Sequence, residues 1–313
     1  MKEVSIIVLT YNSVWEKLKA TIRSILLQED IDYEIIFADD GSAQNWADEI
    51  TELLRDKDVA YRFSFLEENA GTVKNIAAGL KKAEGKYIKL ITPGDFFYDP
   101  HALFKWVAFM EERKGKVSFG DAVYYAFSED RFIQIPATPA PANRDLFDLP
   151  QKREDVFVSY LLANDTALGA SLLMHADLMR KYIDLFVDRV KYAEDYMLRL
   201  IVFDNETVHY FREKVIWYEY GTGISTSSEN QWAKRLHDDF RATDEIIRSR
   251  DAAPDKMAEK YLALLKKDSE TPVVHKTKKL LYFPTMTKWR KQMQEADKTP
   301  VDGDLEYLKS LFL

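Results

Sequence analysis

The stretch VSIIVLTYN at residues 4–12 is an apolar run that ends in polar residues, and this form recurs twice in the first hundred residues. The stretch EIIFADDGS at residues 34–42 ends in Asp-Asp-Gly-Ser, and YIKLITPGD at residues 87–95 ends in Thr-Pro-Gly-Asp. Short apolar runs of this kind are typical of strands buried on both faces. Ligands bind outside the carboxyl ends of strands in open α/β sheets, so we expect these three strand-end groups to form one site.

The segments between these runs have the periodicity of amphipathic helices. Apolar residues recur at helical spacing in residues 14–26, 46–54 and 72–80, and a further strand is predicted at residues 61–66. Repeated βα units joined by short turns predict an α/β fold, with a mostly parallel central sheet and helices on both of its faces.

The pattern becomes less regular after residue 100. Residues 135–150 contain four prolines and are predicted to form a long irregular surface loop. A helix is predicted at residues 193–203 and a pair of strands at residues 208–220. From residue 230 onward the apolar spacing is mainly helical, which predicts a helical C-terminal extension.

The composition excludes several classes of function. A net charge of −8 over 313 residues argues against a broad nucleic-acid surface, which needs clustered Lys and Arg. The absence of cysteine excludes disulfides, thiolate metal sites and a cysteine nucleophile, and the five histidines lack zinc-site spacing. No apolar run approaches the roughly 20 residues that cross a bilayer, and the chain starts without a signal-peptide pattern. We therefore expect a cytoplasmic protein.

The strand-end groups resemble the opening of the family 2 glycosyltransferases of the GT-A fold, in which one apolar strand ends in Tyr-Asn and a second in Asp-Asp-Gly-Ser. The segments Asn69-Ala70-Gly71 and Gly85-Lys86-Tyr87-Ile88 continue the match, which is strong over residues 1–100 and thinner to residue 225. Each motif alone is weak, but the combination is specific. For Asp40-Gly41-Ser42 taken alone, simple turn and cap chemistry is the alternative.

The resemblance implies that the first two strand-end groups bind the nucleotide of a nucleotide-sugar donor. A basic residue also precedes the helix asparagine in the family pattern, and Lys74 fills that place here. The implied nucleotide-binding residues are Thr10, Tyr11, Asn12, Asp39, Asp40 and Lys74.

The third strand-end group departs from the family pattern. Most members have Asp-x-Asp there, which holds Mn²⁺ or Mg²⁺ against a diphosphate, whereas this chain has Thr92 and Gly94 in place of the two acids and retains only Asp95. Because Mg²⁺ needs only one or two protein carboxylates, Asp95 can suffice as its ligand, with weaker affinity as the expected cost. A plain turn is the alternative, and Asp121 is a further candidate for a second acid.

Glu194 and Asp195 resemble the Glu-Asp element of the family, in which the aspartate is the general base of an inverting transfer. Adjacent helix positions face different ways, so we expect only one of the two to reach the acceptor, and Asp195 is the candidate. The alternative is that both acids only complement the dipole at a helix N-terminus.

We therefore predict an inverting glycosyltransferase of the hexosyltransferase type. It would move a sugar from a nucleotide-diphosphate sugar, a UDP-sugar in particular, to a hydroxyl of a glycan or lipid-linked acceptor in cell-surface polysaccharide synthesis. Residues 1–225 would form the GT-A domain, with a nucleotide-binding half at 1–100 and an acceptor half at 101–225, and residues 226–313 the helical extension. A non-catalytic nucleotide-sugar binding or scaffold protein is the alternative. A nucleotidyltransferase is less consistent, because it needs a glycine-rich basic loop after the first strand.

Two further segments have two interpretations each. Residues 221–226 form a glycine-containing turn that either closes near the donor phosphates or is a plain loop. Residues 275–293 mix lysines with apolar side chains in an otherwise acidic protein. They would either contact an anionic membrane at its inner face or pack against the catalytic domain or a dimer partner.

Overall fold

A computed structural model describes residues 2–129, 131–221, 230–266, 272–299 and 301–313 of the chain. Nine strands in the described residues form one sheet. The strands are β1 Val4–Thr10, β2 Tyr33–Asp39, β3 Ala60–Phe65, β4 Tyr87–Ile91, β5 Phe96–Phe97, β6 Val117–Ser128, β7 Arg131–Gln134, β8 Leu172–His175 and β9 Val208–Glu219. The helices are α1 Trp15–Leu26, α2 Ala47–Leu54, α3 Thr72–Leu80, α4 Ala102–Arg113, α5 Arg153–Phe157, α6 Ala176–Phe186, α7 Met197–Phe203, α8 Asn230–Arg248, α9 Lys256–Leu265, α10 Pro272–Tyr282, α11 Met286–Gln294 and α12 Leu305–Ser310.

The sheet has the order β3-β2-β1-β4-β8-β6-β9-β5, with β7 paired to β6. Strands β1, β2, β3, β4, β6 and β9 run in one direction, and β5, β7 and β8 run against them. The predicted α/β class is confirmed. The sheet is mixed because β8 separates β4 from β6, so the regular parallel order ends where the βα repeat ends in the sequence.

Helices cover both faces of the sheet because the strand residues alternate between two apolar layers. On β1, Ile7 and Leu9 pack on the face that carries α3, α6 and α7. Ile6 and Val8 pack on the opposite face, with α1, α2 and α4. This double burial is the physical reason why β1 is apolar at four successive positions, residues 6–9.

Two predicted elements differ in the structure. The strand pair predicted at residues 208–220 is one twelve-residue strand, β9, whose exposed Arg212 and Glu213 lie where its pairing with β6 shifts register. A bulge places extra residues at one point of a ladder, so two consecutive polar residues imitate a turn in the sequence. The loop at residues 135–150 is mostly irregular as predicted, but it contains a short 3₁₀ turn at Arg144–Phe147, and Phe147 is fully buried.

The helices that follow β9 share the core of the domain. Side chains of α8, α9 and α11 join the same apolar layer as α3 and α7. In the basic segment at 275–293, the apolar residues Phe283, Met286 and Trp289 are at most 5% exposed. Packing against the domain therefore accounts for these three side chains, which are not available to a bilayer. No described helix combines the length and the hydropathy that a membrane span requires.

Candidate active site

The three strand-end groups meet at one edge of the sheet, as predicted. Thr10 lies beside Asp39 in the pairing of β1 with β2, and Val8 lies beside Ile91 in the pairing of β1 with β4. A cavity of about 750 Å³ opens at this edge. Its walls come from the strand ends, the start of α3, residues 168–170, the loop at residues 191–195 and the first turns of α8.

The first two groups divide into residues that line the cavity and residues that hold the turns in place. Thr10, Tyr11 and Asp40 line the cavity, and the Tyr11 side chain is about half exposed. Asp39 does not line it: its carboxylate accepts hydrogen bonds from the Thr10 hydroxyl and from the Ser42 amide and hydroxyl. The Asn12 amide donates to the same Ser42 hydroxyl. Asp39 and Asn12 therefore tie the two turns together.

Asp40 connects the strand-end turn to the start of α3. Its carboxylate accepts hydrogen bonds from the backbone amides of Ala70 and Gly71, at 2.8 and 3.0 Å. Burial raises the pKa of Asp40, although these two amides act in the opposite direction. Gly71 has φ = 97°, and a Cβ there would lie 2.5 Å from the Lys191 side chain. The Gly71 backbone is thus closely packed between the side chains of Asp40 and Lys191.

The predicted basic residue, Lys74, does not line the cavity. It is half exposed, and its ammonium group lies 3.8 Å from Asp188. Lys191 lines the cavity instead, and its charge acts on Asp40. Of these two lysines, Lys191 is therefore the one that lies beside Asp40 at the cavity. The two residues are far apart in sequence, so a local motif around Lys74 carries no information about Lys191.

At the third strand-end group, Asp95 lines the cavity together with Glu219 from the end of β9. The Thr92 hydroxyl donates to Asp95 Oδ2 at 2.7 Å, and the Glu219 amide lies 3.4 Å from Asp95 Oδ1. Gly94 has φ = 104°, and a Cβ there would lie 2.4 Å from Glu219 Oε2. Glu219 thus takes the space that an acid at residue 94 would need. The carboxylate missing from the motif is supplied by a strand 124 residues away.

The sequence motifs did not indicate Glu219 as a site residue, although its position in the sequence carries a signal. It directly follows the apolar run of β9, as the other strand-end residues follow their runs. Both of its carboxylate oxygens accept hydrogen bonds from Lys17, at 2.6 and 2.7 Å. Asp121, the other candidate for a second acid, lies outside the cavity and pairs with Arg144 at 2.7 Å.

A buried lysine lies behind Asp95. The Lys89 ammonium group is fully buried on β4 and donates to the carbonyls of Leu90 and Ala170. Burial lowers the pKa of Lys89 to about 7, and Asp95 partly offsets this effect. Burial raises the pKa of Asp95 to about 6, and Lys89 opposes that shift in turn. Lys89 and Asp95 therefore each favour the charged form of the other, against the effect of burial.

Asp95 and Glu219 fit a divalent cation by their chemistry. Both are carboxylates, which are the ligands that Mg²⁺ and Mn²⁺ prefer, and both face one cavity. Within the described ranges, one group of three possible ligands occurs, formed by Glu29 and Asp30 after the end of α1 and His101 before α4. None of those three residues lines the cavity.

Glu194 and Asp195 both line the cavity. They begin a 3₁₀ turn, Glu194–Tyr196, that leads into α7. Gly169 packs against them, since a Cβ there would lie 3.0 Å from Glu194 Oε1 and 3.2 Å from Asp195 Cβ. Burial raises the pKa of both carboxyls, and the neighbouring Asp195 raises that of Glu194 further. A carboxyl of raised pKa facing a cavity is suited to accept a proton near neutral pH.

The sequence profile described as glycosyl transferase family 2 matches residues 5–164, about half of the chain. The chain belongs to this family. Among curated relatives, an uncharacterised glycosyltransferase of Rickettsia conorii is 32% identical over 131 residues, or 41% of this chain and 20% of the relative. An uncharacterised glycosyltransferase of Haemophilus influenzae is 27% identical over 63% of this chain and 76% of its own length. The chain thus spans about a fifth of the length of the Rickettsia protein.

Solved structures share the fold of this chain. The structure of S. aureus TarS 1–349 has a TM-score of 0.57 and 16% identity, and the match covers 99% of this chain and 88% of that one. A complex of TarS 1–349 with UDP-GlcNAc has a TM-score of 0.55 at the same identity and coverage. These likenesses confirm the fold predicted from the strand-end groups.

One wall of the cavity comes from outside the part of the chain that the family profile matches. Trp232 and Arg235 on α8 line the cavity beside Tyr192. The Arg235 guanidinium lies 4.7 Å from the Trp232 ring centre and 5.6 Å from that of Tyr192. The Lys191 ammonium group lies 5.3 Å from the Tyr192 ring centre. Two cations thus flank one aromatic ring at the cavity. The turn at residues 221–226 lies outside the described residues from 222 onward.

Proposed function

We propose that the chain is an inverting glycosyltransferase that transfers a sugar from a nucleoside-diphosphate sugar to a hydroxyl of a glycan or lipid-linked acceptor. The observation that carries this proposal is the convergence of three sets of side chains on one cavity: Tyr11 with Asp40, Asp95 with Glu219, and Glu194 with Asp195. The family assignment supports the reaction class. A UDP-sugar is the donor we favour, and cell-surface polysaccharide synthesis is the setting.

In this proposal the nucleoside lies at the first two strand ends. The exposed Tyr11 ring offers a surface on which a base can stack, and the Asp40 carboxylate can accept a hydrogen bond from a base or ribose. Lys191 and Arg235 provide positive charge for the diphosphate.

Asp95 and Glu219 would hold Mn²⁺ or Mg²⁺ at the cavity. When bound, such a cation would supply positive charge that offsets the negative charge of the leaving diphosphate. Asp195 would remove the proton from the acceptor hydroxyl as that oxygen attacks the anomeric carbon. Glu194 lies beside Asp195, and two negative charges in this buried pair repel each other. The pair therefore keeps one proton up to a higher pH than isolated carboxyls do.

The nucleotide is identified by thermal shift. We expect UDP to raise the unfolding temperature more than GDP, CDP or TDP, with a larger rise in Mn²⁺ or Mg²⁺ than in EDTA, because ligands that bind the native state stabilise it. The absence of stabilisation by all four diphosphates, with metal present, would contradict the proposed donor class.

The two lysines provide a matched pair of variants. We expect Lys191→Ala to weaken UDP binding about tenfold, the worth of one lost charge-assisted contact, whereas Lys74→Ala changes it less than about twofold. The reason is that Lys191 lines the cavity and Lys74 pairs with Asp188 outside it. Isothermal titration of UDP into each variant measures both values. A larger loss of UDP affinity in Lys74→Ala than in Lys191→Ala would contradict this assignment and favour Lys74, the lysine that the sequence motif indicates.

The raised pKa values of the acid pair predict the direction of the pH dependence. The base must be ionised, and the pKa of each carboxyl lies above the ordinary value of about 4. We therefore expect kcat to fall as the pH drops through the mildly acidic range, at saturating donor and metal. UDP affinity measured at each pH separates this loss from loss of binding. A kcat that stays constant down to about pH 4.5, near the range of ordinary carboxyls, would contradict the assignment.

The alternative, a non-catalytic nucleotide-sugar binding protein, is favoured by two observations at the third strand-end group. Thr92 and Gly94 replace the acids of the family motif, and Lys17 already neutralises Glu219. Such a protein would be stabilised by UDP but would release no UDP from UDP-sugars.

A further inference from the structure

The side chain of Asp239 holds the loop that precedes the acid pair. Asp239 lies in the middle of α8 and is 5% exposed. Its Oδ1 accepts a hydrogen bond from the Lys191 amide at 2.9 Å. Its Oδ2 accepts from the amides of Tyr192 and Ala193, at 2.8 and 3.0 Å. Three consecutive backbone amides thus bind one carboxylate immediately before Glu194.

The other side of the same loop is attached to the nucleotide groups. The Lys191 carbonyl accepts a hydrogen bond from the Val73 amide at 3.1 Å, in the first turn of α3. Two residues earlier, the Gly71 amide donates to Asp40. The loop at residues 191–193 is therefore held between α3 and α8. Removal of Asp239 would take away these three hydrogen bonds to α8 and leave ring contacts of Tyr192 on that side.

The three hydrogen bonds to Asp239 are of a kind that holds a loop firmly in place. Hydrogen bonds from backbone amides to an ionised carboxylate are stronger than neutral ones, and here they are shielded from water. Aspartate is also a poor residue for a helix interior, so its presence in α8 is not explained by helix propensity. Asp239 does not line the cavity, so it acts on the reaction through the loop and not by contact with substrate.

We propose that Asp239 is a positioning residue that fixes the backbone of residues 191–193 and thereby sets the orientation of Glu194 and Asp195 in the cavity. This role rests on the proposed function, because it concerns the acid pair as catalytic groups. It also places part of the machinery on the C-terminal helices, beyond the segment that the family profile matches.

The test compares three variants of the full chain. Asp239→Ala removes both acceptor oxygens and with them all three hydrogen bonds, Asp239→Asn retains one acceptor oxygen, and Asp238→Ala alters the exposed neighbour on the same helix. Two measurements are made: UDP release from UDP-GlcNAc with Mn²⁺, and hydrogen–deuterium exchange of peptides covering residues 190–196.

We expect Asp239→Ala to lower kcat about 100-fold, the cost typical of misplacing a catalytic group by about 1 Å. The KM for UDP-GlcNAc and the Kd for UDP should rise by no more than about tenfold, the full effect expected from loss of Lys191, since the other proposed nucleotide-binding side chains lie at the strand ends. Exchange at residues 190–196 should accelerate. Asp239→Asn should recover about a tenth of the wild-type kcat because it keeps one acceptor oxygen, and Asp238→Ala should match the wild type.

Two results would overturn the proposal. One is a wild-type kcat and wild-type exchange in Asp239→Ala. The other is an equal loss of kcat and UDP affinity in both Asp239 variants, with exchange raised throughout the chain, which would indicate a general structural role. If the alanine variant does not fold, the asparagine variant decides by the same criteria. A wild-type protein that releases no UDP would instead contradict the proposed function, while exchange at residues 190–196 still tests the contact itself.

Discussion

Replacement of Asp195 by asparagine is expected to lower the rate of sugar transfer by about 10²–10⁴-fold, the range that one general base contributes. Asparagine has nearly the same shape but cannot accept the proton of the acceptor hydroxyl. The 3₁₀ turn and the packing of Gly169 against residues 194 and 195 should persist, because neither depends on the charge of Asp195. UDP affinity, measured by isothermal titration, should stay within about twofold because Asp195 makes no proposed contact with the nucleotide.

Glu194→Gln is the matched control for this prediction. Glu194 also lines the cavity and also has a raised pKa, but it is not the proposed base. We expect its kcat to fall about tenfold or less, because the variant only removes a neighbouring charge. A wild-type rate in Asp195→Asn would exclude Asp195 as the base. A larger loss in Glu194→Gln than in Asp195→Asn would move the assignment to Glu194.

Replacement of Asp95 by asparagine is expected to abolish most of the metal-dependent activity. Several kcal/mol of charge stabilisation by a divalent cation corresponds to a loss of about 10²–10³-fold in rate. The fold should tolerate the change, because asparagine can still accept from the Glu219 amide and can donate to the Thr92 hydroxyl in place of accepting from it. Titration of Mn²⁺ in the presence of UDP measures the loss of metal affinity directly.

Asp121→Asn is the control for the metal prediction. Asp121 is also a partly buried carboxylate near the sheet, but it pairs with Arg144 outside the cavity. Its variant should bind Mn²⁺ as the wild type does. Glu219→Gln should weaken Mn²⁺ binding in the same direction as Asp95→Asn. Activity that is unaffected by EDTA in the wild type, together with wild-type activity in Asp95→Asn, would show that the reaction needs no metal at this position.

The first half of the fold was predictable because its signals are local. Each of β1, β2 and β4 is an apolar run that ends at a turn, and adjacent parallel strands must end at the same edge. The convergence of the three strand-end groups, which contain Thr10, Asp39 and Asp95, follows from that geometry. The roles of individual residues within the groups were harder to infer. Asp39 and Asn12 hold the turns together, and the sequence motif does not separate them from Tyr11 and Asp40, which line the cavity.

The residues that were missed reach the cavity through long-range contacts. Glu219 lies beside Gly94 because β9 ends next to the turn after β4, and no local spacing reports this proximity. Lys191 and Arg235 meet at Tyr192 only because α8 packs against the loop before α7. Such contacts depend on the tertiary arrangement of the second half, where β8 interrupts the parallel order and the βα repeat no longer guides prediction.

The central claim is that this cavity cleaves a nucleotide sugar and does not merely bind one. The most direct test is the release of UDP from UDP-sugars by the full chain with Mn²⁺, with the Asp195→Asn variant measured in parallel. We expect slow release by the wild type even without an acceptor, because water can take the place of the acceptor hydroxyl. The variant should bind UDP as tightly and release essentially none from the sugar. Binding of UDP-sugars without any release, or equal release by both proteins, would contradict the claim.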